Sequence, residues 1–210
     1  MPKISPFEKY TEQYEDWFVE NRLVYDAELR AVKAMIPSEG HGIEIGVGTG
    51  RFAEPLGIKF GIEPSKRMRE IAQKRGIRVL DGVAEELPFY DFQFDFALMV
   101  TTVCFVDDIN RALLEAYRII SHGGFLIIGF VDRSSMVGQI YLDRQNESVF
   151  YKDATFFTVD ELIEIMNHIG FNDFTFNQTI FKSLSETTKN EPVKSGYGEG
   201  SFVVIRSRKG

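Results

Sequence analysis

The chain has 210 residues, 44% hydrophobic and 26% charged, with 24 Lys and Arg against 31 Asp and Glu and a formal net charge of −7. That length suits one domain with one sizeable core, and the acidic balance argues against a surface that tracks nucleic-acid phosphates. No stretch approaches the roughly 20 apolar residues of a membrane span, the N-terminus lacks the apolar core of a signal peptide, and the single Cys104 has no partner for an internal disulfide. A cytoplasmic protein that acts on neither nucleic acid nor membrane is therefore expected.

Residues 6–36 carry Tyr10, Tyr14, Trp17 and Phe18 at helical spacing, then Leu23, Val24, Ala27, Ala31, Val32, Ala34 and Met35 before Pro37, a pattern that predicts two helices. A strand-like run over 42–46 leads into Gly46-Val47-Gly48-Thr49-Gly50. Glycines at alternate positions let a strand turn with positive φ and let a ligand approach without meeting a Cβ. Pro55 and Gly57 leave room for only a turn or two of helix before a second strand, 58–62. That strand ends at Glu63, 17 residues after Gly46, where a ribose-gripping carboxylate belongs in a nucleotide-binding βαβ unit. Arg51 stands where the dinucleotide fingerprint G-x-G-x-x-G needs its last glycine, so NAD is not expected.

Helix 65–75 sets Met68, Ile71 and Ala72 inward and reads as leaving Lys66, Arg67, Arg69, Lys74 and Arg75 on a solvated face. Strands near 77–80, 94–100 and 124–130, with a helix near 108–120, complete an alternation that implies a parallel α/β sheet. Thr158 and Glu161 form a capping box for a helix with Leu162, Ile165, Met166 and Ile169 inward, closed by Gly170. Residues 171–181 and 201–206 then read as two strands of a hairpin across a polar loop, 182–200.

The loop E-x-G-x-G-x-G over 44–50 resembles motif I of the class I methyltransferases, which bind S-adenosylmethionine (SAM), a nucleoside with no phosphate to cradle. Downstream, Ala84-Glu85-Glu86-Leu87-Pro88-Phe89 resembles the family's adenine-side loop, 94–100 its fourth strand, and 112–125 its next helix, glycine turn and fifth strand. The branch that looks most similar is that of small-molecule enzymes related to the quinone-biosynthesis C-methyltransferases. The resemblance implies a Rossmann-like α/β fold: a seven-stranded, mostly parallel sheet in the order 3-2-1-4-5-7-6, its last strand antiparallel, with helices on both faces. It also implies SAM as cofactor, S-adenosylhomocysteine as product, a small-molecule acceptor and no metal. Residues 1–36 would form a helical lid over a SAM-binding domain, 37–210, in a monomer or homodimer.

Carried onto this sequence, the resemblance has Gly46, Gly48 and Gly50 facing the cofactor, Glu44 orienting its amino group and Glu63 accepting both ribose hydroxyls. Pro64, Met68, Gly82, Val83, Ala84, Glu85, Val100 and Thr101 would also contact the cofactor, and Thr101 and Thr102 would lie where the family contacts both cofactor and acceptor. Val83 replaces the acid that usually holds the exocyclic amine, which leaves the backbone at Ala84, the side chain of Glu85 or stacking on Met68 to do so. Tyr10, Tyr14, Trp17, Tyr141 and Tyr197 are the candidate acceptor contacts, with Tyr141 in a segment, 132–157, expected to shape the substrate wall. Tyr197, Glu199 and Thr101 are the catalytic candidates. Cys104, within the apolar run 103–106, reads as a buried structural residue, and His41, His122 and His168 lack ligand spacing. The rival reading is a SAM-binding sensor or partner subunit without turnover.

Overall fold

The computed structural model describes residues 4–183, 186, 187 and 189–210. Three helices open the chain, α1 (Ser5–Lys9), α2 (Thr11–Glu20) and α3 (Arg22–Lys33), where the periodicity had suggested two. Tyr10 (φ −116°, ψ 33°) and Asn21 (φ −108°, ψ 39°) leave helical geometry, and each break turns the chain without ending the apolar pattern that the spacing detects.

The sheet is then built from β1 (Gly42–Ile45), β2 (Phe60–Ile62), β3 (Arg78–Leu80), β4 (Phe94–Val100), β5 (Ile120–Val131), β6 (Phe171–Thr179), β7 (Lys194–Ser195) and β8 (Phe202–Lys209). The connecting helices are α4 (Ala53–Leu56), α5 (Lys66–Lys74), α6 (Ile109–Ile119), α7 (Met136–Asp143) and α8 (Val159–Ile169). The order is β3-β2-β1-β4-β5-β8-β6-β7. Neighbours among the first five strands are parallel, and β8 runs antiparallel to both β5 and β6. The expected order thus holds, with one addition. The two-residue β7, inside the segment read as a loop, pairs with the open edge of β6 through Asn177 and Gln178.

Side chains alternate along each strand, which divides the core into two layers. Phe96, Leu98 and Val100 pack with Ala27, Ala31 and Val32 of α3 and Ala72 of α5. Ala97 and Met99 face the other way, onto Leu113 and Ala116 of α6 and Leu162 and Met166 of α8. The capping box forms as expected: the Glu161 backbone N–H donates to Thr158 Oγ1 at 3.2 Å, and the Thr158 N–H donates to Glu161 Oε2 at 2.8 Å. Gly170 ends α8 in the left-handed region at φ 116°.

One reading of the sequence is corrected. The basic face of α5 is not simply solvated, because three of its arginines bind within the protein. Arg69 donates to the Glu63 and Pro64 carbonyls and to Asp81, Arg67 to the Glu8 carbonyl, and Arg75 to Thr49 and Glu15. Only tertiary context supplies these acceptors, so helical periodicity leaves the arginines looking free.

Candidate functional site

Beyond the carboxyl ends of β1, β2 and β4 lies a cavity of about 880 Å³, near the upper end of the roughly 300–1,000 Å³ range of small-molecule sites. The glycine loop forms its floor. As β1 ends, the N–H groups of Gly46 and Val47 both donate to the Ile62 carbonyl, at 2.8 and 2.9 Å, which turns the chain across the end of β2. Gly48 (φ 54°) stands against the hydroxyl of Tyr14, 3.2 Å from where a Cβ would be. Gly50 (φ 86°) has a different duty: a Cβ there would collide with Ile77, and the residue packs away from the cavity wall.

Glu63 follows β2 and is 6% exposed. Its Oε1 accepts the Ser65 N–H and its Oε2 the Gly48 N–H, both at 2.9 Å. Burial nonetheless outweighs these two donors and pushes the carboxyl up to about 7. Glu44 is buried in β1 and does not line the cavity. Desolvation raises its carboxyl well above the usual range against one N–H donor, Ala53, and its Oε2 has no partner among the described residues.

Pro64, Met68, Gly82, Val83 and Ala84 complete this side of the wall. Glu85 lines it as well, but its carboxylate accepts the N–H groups of Asp107 (2.6 Å) and Asp108 (3.2 Å), so the side chain ties the loop to the entry of α6. Thr101 has φ 50°, rare for a β-branched residue, with its N–H on the Gly129 carbonyl at 2.7 Å. It reaches the wall together with Val100 and Thr102.

The far wall is aromatic. Phe7, Tyr14, Trp17 and Phe18 of the first two helices line it together with Phe105, Tyr141, Phe150 and Tyr151. Phe7 meets Phe105 edge-on with centroids 4.8 Å apart, and Tyr141 stacks on Tyr151 at 4.8 Å. Two carboxylates hold these helices to the glycine loop and α5. Glu8 accepts the Ser65 hydroxyl at 2.6 Å. Glu15 accepts from Thr49 Oγ1, from Arg51 and from Arg75. Burial alone would raise Glu15, but those donors outweigh it and hold the carboxyl below its ordinary value.

Comparison with known proteins matches residues 43–128 to the family model described as "Methyltransferase domain". A crystal structure from Thermotoga maritima, of a "SAM-dependent methyltransferase, possible histamine N-methyltransferase", is 57% identical with a TM-score of 0.96, over 99% of this chain and 100% of that one. The chain belongs to the SAM-dependent methyltransferases. An uncharacterized protein of Methanocaldococcus jannaschii is 47% identical over 98% of this chain and 100% of its own length. The 2-methoxy-6-polyprenyl-1,4-benzoquinol methylase of Xenopus laevis is 38% identical over 150 residues, 70% of this chain and 43% of that protein, which bears out the distant likeness to quinone biosynthesis.

This methyltransferase keeps three residues singled out in the sequence away from its cavity. Tyr10 lies beside Lys9, Tyr197 donates its hydroxyl to Asp160 at 3.2 Å while its ring meets Phe176, and Glu199 pairs with Lys194 at 2.7 Å. Among the described residues no group of three or more His, Cys, Asp or Glu is placed to hold a metal, and no helix is long and apolar enough to cross a membrane.

Phe7, Phe105 and Glu28 are wall residues that the sequence reading did not single out. Glu28 lies on α3 between Val24 and Ala31, on the helix's inward face, and is 7% exposed. It lines the cavity and accepts no hydrogen bond from any described residue, and burial pushes its carboxyl up to about 8. The available signal was an acid four residues after one core position and three before another.

Proposed function

We propose that this methyltransferase moves a methyl group from SAM to a small molecule held in the same cavity. The observation that carries the proposal is the continuity of one cavity between the Glu63 and glycine-loop side and the aromatic wall, so that a cofactor and a second small molecule share one enclosure. The residues present fit SAM. Each Glu63 oxygen accepts one backbone N–H and keeps acceptor capacity for a ribose hydroxyl. Gly46 and Gly48 give close access, Met68 and Ala84 offer apolar faces to the base, and the unpartnered Oε2 of Glu44 is a spare acceptor behind the loop.

Bound SAM supplies a methyl carbon on a sulfonium, and the electrons of the broken C–S bond stay with sulfur as the acceptor's lone pair forms the new bond. The chain contributes alignment and exclusion of water. In this reading α1 and α2 act as the lid, with Tyr14 and Trp17 on its inner face, while Thr101 and Tyr141 border the acceptor. The net charge of −7 supports an acceptor other than nucleic acid, and the names of the Thermotoga and Xenopus proteins both refer to small molecules.

Isothermal titration is expected to show S-adenosylhomocysteine binding in the micromolar range and no heat with NAD, because Arg51 stands where the dinucleotide fingerprint has its last glycine. Incubation of the enzyme with SAM and a metabolite extract should then yield a product heavier by one methyl group. Binding of NAD without S-adenosylhomocysteine would overturn the reading, and cofactor binding without any methylated product would favour a sensor.

A further inference from the structure

We propose that the methyl acceptor carries a protonated amine and that Glu28 is the residue that receives it. This rests on the methyl-transfer reading and adds the chemical class of the acceptor. Within the fold Glu28 has no structural partner: at 7% exposure it occupies a core position of α3, yet no N–H, hydroxyl or cationic side chain among the described residues answers it. An unpaired buried carboxyl costs stability that an apolar residue at the same position would not. Such a group is explained by a partner that arrives from the cavity it faces.

The surroundings choose the sign of that partner. The wall carries Glu20, Glu28, Glu63, Glu85, Asp143 and Glu147 against one cation, Arg144, among the described residues. Glu63 and Glu85 already hold backbone N–H groups, whereas Glu28 holds nothing. Burial chiefly raises the Tyr141 and Tyr151 phenols, and Glu28 adds to it in both, so the two rings lie near Glu28, and the same wall presents Trp17 and Phe18. Aromatic faces around a carboxylate suit an ammonium group with an apolar body.

Position separates this role from cofactor binding. Glu63 follows β2, whereas α3 packs across β5, β8 and β6. Three strand steps separate β2 from β5 in the sheet, about 14 Å at the usual spacing. Glu28 lines the cavity near Tyr141 and Tyr151, on its aromatic side.

The test uses the full chain saturated with S-adenosylhomocysteine and a panel of arylalkylamines and alkylamines, each paired with its neutral alcohol, such as phenethylamine with phenethyl alcohol. The amines are expected to bind at least about tenfold more tightly than their alcohols, the scale of a hydrogen bond to a charged group. Glu28→Gln should abolish that preference and leave affinity for S-adenosylhomocysteine within about twofold. Glu28→Leu should lose amine binding too and melt no lower than the parent. Failure of every amine to bind, equal binding of the alcohols, undiminished amine binding in Glu28→Gln, or lower melting temperatures in both variants would overturn the proposal. If the parent chain does not bind S-adenosylhomocysteine, the methyl-transfer reading falls first, and this inference falls with it.

Discussion

Glu63 is a buried carboxylate held in place on both of its oxygens. The Ser65 and Gly48 N–H groups fix both of its oxygens, and Arg69 holds the carbonyls of Glu63 and Pro64 behind it. Glu63→Ala is expected to weaken S-adenosylhomocysteine binding by roughly 1.5–3 kcal/mol in titration calorimetry, with the fold retained. Its folded pKa of about 7 lies above the roughly 4.3 of an unfolded glutamate. Its contribution to stability is therefore fully present below the unfolded value and is lost as pH rises through about 7. Melting of the ligand-free protein should fall over that window, and Glu63→Gln should make the fall smaller, the remainder belonging to Glu28 and Glu44. Glu63 was legible in the sequence because a strand end and a fixed spacing from the glycine loop locate it. Glu28 was not, because an acid on a helix becomes conspicuous only when packing shows which face turns inward. Tyr197 and Glu199 belong to a loop whose spacing carries no information about which neighbour it will rest on, and it rests on Asp160, Phe176 and Lys194.

Among the elements, α2 is tied to the glycine loop by one carboxylate. Glu15 gathers Thr49 and Arg51 from that loop and Arg75 from the end of α5. Glu15→Ala is expected to cost about 1–3 kcal/mol in denaturant unfolding, because it takes the carboxylate from part-buried Arg51 and leaves part-buried Arg75 only the Thr49 carbonyl and Glu54. The carboxyl is held below its ordinary value, so this contribution is present above the unfolded pKa and is lost as pH falls through the lowered folded one. Acid unfolding should thus begin at higher pH in the variant. Capping signals made α8 and its limits readable from sequence, as Pro55 and Gly57 did for the four-residue α4. The break at Tyr10 and the edge strand β7 left no such mark. A pattern of apolar spacing survives a change of helix direction, and a two-residue strand exists only because β6 offers it an unpaired edge.

For the whole molecule, the strand order and the two-layered core follow from the alternation of short apolar runs and amphipathic helices, so the architecture was legible almost throughout. The position of β8 came from family likeness, since nothing in its own composition says that it enters between β5 and β6. Val204, the third residue of that strand, is fully buried and paired with Gly129 on one side and Asn177 on the other. Val204→Pro removes a donor from the ladder and should abolish cooperative melting by circular dichroism, because both neighbouring strands lose their register at once. The same placement bears on how the protein comes into being. A chain that leaves the ribosome N-terminus first must display β5 and β6 with an empty lane between them, and their exposed edges invite pairing with other nascent chains until β8 emerges to fill it.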